Sequence, residues 1–74
     1  CRVWTASYGG SKATIIRSTK DGMTNYTVLD VNPGREKAET EAYIAAYAKG
    51  GSRIGDFPSK NAALDKAFKL CPEA

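Results

Sequence analysis

Two cysteines, Cys1 and Cys71, carry the most reactive side chains of this chain. Paired thiols in a small exported domain commonly form a disulfide, and a bond here would close a loop of almost the whole chain. Such a bond would contribute about 4 kcal/mol to stability if the two Cα atoms come within about 7 Å. The alternative is two free thiols, with Cys71 acting as a small apolar side chain on a helix. The residues alone leave both states open.

Acid–base and nucleophilic catalysis have little support in this sequence. The chain contains no histidine, so no imidazole base is present to activate a serine or cysteine nucleophile. Cys71 falls on the apolar side of a predicted helix, which lacks the exposed setting of a reactive thiolate. Glu36, Glu39 and Glu41 cluster at a predicted helix start, where negative charge favours the helix dipole. We therefore expect no catalytic residues and a non-enzymatic protein.

Metal and cofactor sites are also not expected. Two cysteines without histidine fall short of the four ligands of a zinc site. The segment GGSRIGD has glycines, but it has neither the Gly-Lys-Ser/Thr ending of a phosphate loop nor dinucleotide spacing, so it indicates a turn. Asn25-Tyr26-Thr27 matches a glycosylation acceptor, yet it lies within a predicted strand. The sequence predicts no metal, no cofactor and no small-molecule substrate.

The charge balance is mildly basic. Eleven basic and eight acidic residues give a net charge of +3, which suits phospholipid headgroups or nucleic acid. The basic residues that could contact phosphates and the tyrosines that could stack on bases are Lys12, Arg17, Lys20, Lys60, Lys66, Lys69, Tyr8, Tyr43 and Tyr47. These residues lie on separate predicted elements, and no known nucleic-acid signature is present. Nucleic-acid binding therefore ranks third among the functions considered.

The first half of the chain predicts three strands joined by tight turns. Gly9-Gly10 and Asp21-Gly22 are favoured two-residue hairpin loops because they tolerate positive φ. Two such loops would place Trp4 opposite Ile15, and Ile15 opposite Val28. The predicted core face then carries Trp4, Ala6, Ala13, Ile15, Tyr26 and Val28.

The opposite face of these strands is half apolar. It would carry Val3, Thr5, Ser7, Thr14, Ile16, Thr27 and Leu29. A solvated face is normally more polar, although β-branched threonine and scattered exposed aliphatic residues are common in strands. We expect this face either to be partly covered or to contact another molecule.

The second half predicts helix, strand and helix. Asn32 is the predicted N-cap and Pro33 the first helical residue, with a stop at Gly50-Gly51. The rival interpretation pairs YIAAYA with SRIGDF as a hairpin. Ser52–Phe57 is a short fourth strand, and a final helix follows Pro58, with one apolar side made by Leu64, Ala67, Phe68 and Cys71. Residues 1–74 therefore form a single α+β domain, a small antiparallel three- to four-stranded meander packed against two helices.

Cys1 also carries a resemblance of processing class. With cysteine as its first residue, the chain resembles the mature form of a small bacterial lipoprotein, whose lipid-attached cysteine becomes residue 1 after signal removal. The resemblance implies a diacylglycerol thioether on Cys1 and export to the outer membrane or periplasm, with an extracellular location as the alternative. Lipid and disulfide exclude each other, because both use the Cys1 sulfur.

The favoured function is that of a non-enzymatic cell-envelope lipoprotein, anchored to the membrane through Cys1 as a structural or accessory subunit of a larger assembly. Its protein partner would contact an interface formed by Val3, Thr5, Ile16, Leu29, Tyr43 and Tyr47. The alternative is a secreted or periplasmic binding module, such as an inhibitor or immunity-type protein, locked by a Cys1–Cys71 disulfide.

Overall fold

The computed structural model describes all 74 residues and has four strands and two helices. In chain order these are β1 (Arg2–Ser7), β2 (Lys12–Lys20), β3 (Met23–Val31), α1 (Glu36–Tyr47), β4 (Ser52–Phe57) and α2 (Lys60–Leu70). The α+β class is confirmed. Residues 43–47 are helical, so the alternative hairpin is excluded, and β4 has the predicted bounds. Neither helix is long and apolar enough to cross a membrane.

The β2–β3 hairpin has the predicted register. Ile15 lies opposite Val28 in an antiparallel pair. Asp21 and Gly22 both have positive φ, 53° and 78°, as a two-residue primed turn requires. The turn predicted from the local sequence is therefore confirmed.

The predicted β1–β2 hairpin is wrong. The strand order is β1-β3-β2-β4, and β1 pairs with β3 in parallel, with Val3 opposite Tyr26. The connection crosses the end of β3, where the Tyr8 N–H donates to the Asp30 carbonyl at 2.9 Å. At Gly10 a Cβ would stand 1.9 Å from the Val31 carbonyl oxygen. The two glycines thus permit a close crossover rather than a tight turn.

The two helices cover opposite faces of the mixed sheet. On one face, Ala63 and Ala67 of α2 pack against a cluster that includes Ile15 and Val28. On the other, α1 covers Ile16, Leu29 and Val31. The β2 and β3 part of the half-apolar face is therefore covered by α1, which accounts for Ile16 and Leu29. The β1 part of the predicted face is wrong, because Val3 packs on the α2 side.

Trp4 does not lie on the predicted core face. The parallel pairing sets it opposite Thr27, on the α1 side of the sheet, and leaves it 49% exposed. The prediction failed because it rested on the β1–β2 hairpin. Phe68, expected on the apolar side of the last helix, is also exposed, at 48%.

The start of α1 differs from the prediction as well. Asn32 is not the N-cap, because the helix begins at Glu36 after a turn closed by the Arg35 N–H and the Asn32 carbonyl, 2.9 Å apart. Gly34, at φ 86°, occupies the left-handed position of that turn. The Asn32 backbone and side-chain amides instead donate to the Glu39 carboxylate, at 2.7 and 3.0 Å.

Cys1 and Cys71 form a disulfide with their Cα atoms 5.9 Å apart. Cys71 follows α2, which starts at an N-cap where the Ser59 hydroxyl accepts from the Ala62 N–H at 3.2 Å. The bond joins the strand at one edge of the sheet to the end of α2. The lipid expected on Cys1 is incompatible with this arrangement, because its sulfur is already bonded to Cys71.

Candidate functional site: an aromatic groove

An open cavity lies beside the C-terminal end of α1. The 12 residues of α1 extend about 18 Å, whereas the nine-residue strands β2 and β3 extend about 30 Å. The helix therefore leaves part of the sheet uncovered. The resulting space of about 760 Å³, here called the aromatic groove, is lined by Arg2, Trp4, Thr5, Ser18, Thr19, Lys20, Asp21, Met23, Asn25, Thr27, Tyr43, Ala46, Tyr47, Ala48 and Lys49.

Trp4 forms an ordered aromatic surface in the groove. Its indole Nε1–H donates to Asn25 Oδ1 on the neighbouring strand at 2.9 Å. Arg2, two positions earlier on the same face of β1, holds its guanidinium 6.0 Å from the centre of the Trp4 ring. About half of the side chain remains exposed despite these contacts. The ring is thus oriented by the protein and still accessible.

Tyr43 and Tyr47 form the helical wall of the groove. They are one turn apart on α1, with ring centroids 5.1 Å apart and planes tilted by 45°. Tyr47 is 76% exposed, while Tyr43 packs partly against the α1-side core. The same two rings line a smaller cavity of about 370 Å³ with Tyr8 and Leu29. The tyrosine pair therefore separates two adjoining depressions.

The groove is basic. Arg2, Lys20 and Lys49 line it together with one acidic residue, Asp21, so it holds a net +2 of the chain's +3. The three ion pairs of the protein lie outside the groove. They are Lys12–Glu36, Arg35–Glu39 and Arg53–Asp56. The groove cations therefore have no carboxylate partner and remain available to an anionic ligand.

Three carboxylates outside the groove hold their charge strongly. Hydrogen bonds from the backbone and side chain of Asn32 keep the pKa of Glu39 below its ordinary value. The pKa of Glu36 is lowered by a hydrogen bond from the backbone N–H of Glu36 itself. The pKa of Asp56 is lowered by a hydrogen bond from the Arg53 guanidinium. Glu36 and Glu39 lie in the first turn of α1 and Asp56 lies in β4, so none of the three lines the groove.

The structure does not bring all of the predicted interface residues together on one surface. Tyr43 and Tyr47 come together in the aromatic groove, whose lining also includes Thr5. Thr5 pairs with Val28 and therefore lies on the same face of β1 as Val3. Val3 packs partly buried on the α2 side, while Ile16 and Leu29 are 0% and 1% exposed beneath α1. Ile16 therefore presents no surface to a partner, and Leu29 reaches only the smaller cavity.

Sequence reasoning missed Arg2, Trp4 and Lys49. The β1–β2 pairing that the sequence predicts would place Trp4 in the core. A pairing-independent signal was available, because Arg2 and Trp4 alternate along a strand and must share a face whichever strand is their neighbour. Of the residues considered for nucleic acid, the fold gathers Lys20, Tyr43 and Tyr47 in the groove.

Comparison of the chain with protein-family models, with curated proteins and with solved structures found no match.

Proposed function

We propose that this domain is a non-enzymatic binding module, locked by the Cys1–Cys71 disulfide, whose ligand occupies the aromatic groove. The observation that carries the proposal is the exposure of Trp4 and Tyr47 in a concave surface with unpaired cations. Tryptophan, tyrosine and arginine are the residues most often responsible for binding energy. An exposed indole that is also fixed by a hydrogen bond suits ligand binding better than it suits folding stability.

The disulfide supports the same function. It ties Cys1, the residue that precedes β1, to the end of α2 and thereby restrains the strand that carries Arg2 and Trp4. A restrained surface loses less conformational entropy when it binds. Disulfides persist in oxidising compartments, so the module would work in a periplasmic or extracellular setting.

Among the functions predicted from the sequence, the disulfide-locked module has the most support. The anchored lipoprotein requires a free sulfur at Cys1. The disulfide uses that sulfur. In this proposal the aromatic groove holds the ligand, whereas the envelope-subunit hypothesis expects a protein partner at a different set of residues.

The test is affinity capture from the periplasmic or extracellular fraction of the native source, with the oxidised protein immobilised and retained proteins and nucleic acids both identified. A Trp4→Ala/Tyr47→Ala double variant is the comparison, and Lys66→Gln on α2 is the control with an intact groove. We expect one ligand to be retained by the wild type and by Lys66→Gln, and to be lost with the double variant.

Circular dichroism and intact mass of the double variant must first show a folded, oxidised protein. A set of retained molecules that is the same for the wild type and the double variant, or no specific ligand at all, would contradict the proposed function.

A further inference from the structure

We propose that the aromatic groove binds single-stranded nucleic acid, with bases stacked on its exposed rings and phosphates held by its basic side chains. This inference rests on the proposed function and names the class of its ligand. The basic residues and tyrosines are spread along the sequence, but the fold brings part of this set together with Trp4 in one cavity.

The state of the Trp4 ring favours stacking. The only hydrogen-bond donor of the indole is already used by Asn25 Oδ1. What remains accessible is therefore the apolar ring, which recognises a flat π surface rather than a polar atom. Every nucleobase has such a face, and aromatic side chains of ssDNA-binding and ssRNA-binding proteins use it.

The charge of the groove complements a phosphate backbone. Arg2, Lys20 and Lys49 line the groove without an ion-pair partner. Five other basic residues are also unpaired, so what distinguishes these three is that they share one cavity with Trp4 and Tyr47. Cations placed beside stacking rings are the combination found in sites for single strands. An acidic peptide would satisfy the same cations but would leave the exposed Trp4 and Tyr47 rings without a flat partner.

A single strand fits the groove better than a duplex does. In a duplex the base faces stack on one another, so only base edges and phosphates reach a protein surface. The exposed side chains of Trp4 and Tyr47 offer aromatic rings and one phenol hydroxyl, and the indole N–H is already bonded to Asn25, so they suit base faces better than the base edges of a duplex. Unpaired bases can leave their own stack and lie against these rings.

The test is fluorescence anisotropy of a labelled oligothymidylate of about twelve nucleotides, compared with a duplex of the same length, at low salt. We expect the single strand to bind more tightly. If three cations contact phosphates, the logarithm of affinity should fall with the logarithm of salt concentration with a slope of about −2, which is a roughly 20-fold loss for a fourfold increase in salt.

Variants separate stacking from charge. Trp4→Ala and Tyr47→Ala should each weaken binding about 5- to 100-fold. Because Trp4 also bonds to Asn25, Tyr47→Ala is the variant that leaves the strand contacts intact. Lys49→Gln should reduce the salt slope by about 0.7. The matched control is Lys66→Gln on α2, which removes the same charge from the other side of the sheet and should change neither affinity nor slope.

Three results would overturn the inference. The first is that the single strand does not bind at low salt. The second is that single strand and duplex bind with equal affinity and that neither Trp4→Ala nor Tyr47→Ala changes this affinity. The third is that the protein binds poly-glutamate but not the oligonucleotide, and that Lys49→Gln abolishes the poly-glutamate binding. That result would exclude nucleic acid as the ligand but would keep the groove as the binding surface. The proposed function itself is tested separately, by whether capture of the native ligand depends on the groove.

Discussion

Two buried threonines differ in whether their hydroxyl group has a partner. The Thr14 hydroxyl donates to the Gly55 carbonyl at 2.8 Å, while Thr40 Oγ1 has no hydrogen-bond partner, and their exposed fractions are 0% and 1%. A buried hydroxyl without a partner destabilises the folded state. Thr40→Val should therefore raise the free energy of unfolding by about 1 kcal/mol, and Thr14→Val should lower it by about 1 kcal/mol.

Urea denaturation of the oxidised variants measures both changes. Each residue serves as the control for the other, because the two substitutions are chemically identical. A loss of stability in Thr40→Val would contradict the unpartnered state of the Thr40 hydroxyl.

At the scale of elements, the crossover between β1 and β2 depends on Gly10. Because a Cβ there would overlap the backbone of Val31, Gly10→Ala must displace either the crossover or the end of β3. We expect a loss of about 3 kcal/mol in the free energy of unfolding. Gly9→Ala is the matched control, since Gly9 has φ 86° but no neighbour within 4 Å of a Cβ, and it should cost only about 1 kcal/mol. Equal losses, measured by denaturation, would contradict the close approach at Gly10.

The start of α1 predicts a dependence of stability on pH. The N-cap residue Arg35 makes no side-chain cap, and Glu39 instead receives the amides of Asn32. These bonds lower the pKa of Glu39 below its ordinary 4.5 in the folded protein. As pH falls below that value, the unfolded chain takes up the proton first, so stability present at neutral pH is lost progressively as pH falls through the folded pKa. The pKa values of Glu36 and Asp56 are lowered as well and act in the same direction.

Denaturation midpoints across the acid range test this dependence. Glu39→Gln should flatten part of the decline, because an amide does not titrate there. Glu41→Gln, at an exposed position of the same helix, is the control and should keep the wild-type slope. An unchanged slope in Glu39→Gln would show that the Asn32 contacts contribute nothing to the acid response.

Local sequence determined most elements but not every pairing. Alternating residues with Asp21-Gly22 define β2 and β3, and Ser59 marks the start of α2. Gly9-Gly10 is ambiguous, because positive φ and small size serve a hairpin and a crossover equally well. Which strand accepts β1 is decided by non-local packing, and this choice moves Trp4 from the core to the groove. The candidate site could therefore be predicted only in part, through Tyr43, Tyr47 and Thr5.

At the scale of the whole molecule, the disulfide makes a large contribution to stability. Closing a loop between positions separated by 70 residues contributes about 4 kcal/mol in the loop-entropy model. A domain of this size has a small core, so reduction should lower the unfolding midpoint strongly. Intact mass with and without reductant verifies the bond, because the oxidised protein lacks two hydrogens. Equal unfolding curves for the oxidised and reduced protein, or acyl chains on Cys1, would contradict this account.

The same bond determines how the molecule responds to mechanical load. Cys1 and Cys71 enclose all four strands and both helices in one covalent ring. A pulling force applied at Cys1 and at Ala74 would pass through the sulfur bridge and the short segment Pro72–Ala74 without reaching the sheet. The hydrogen bonds between strands would carry no tension, and the groove would keep its shape on a tethered or stretched chain until the bridge is reduced.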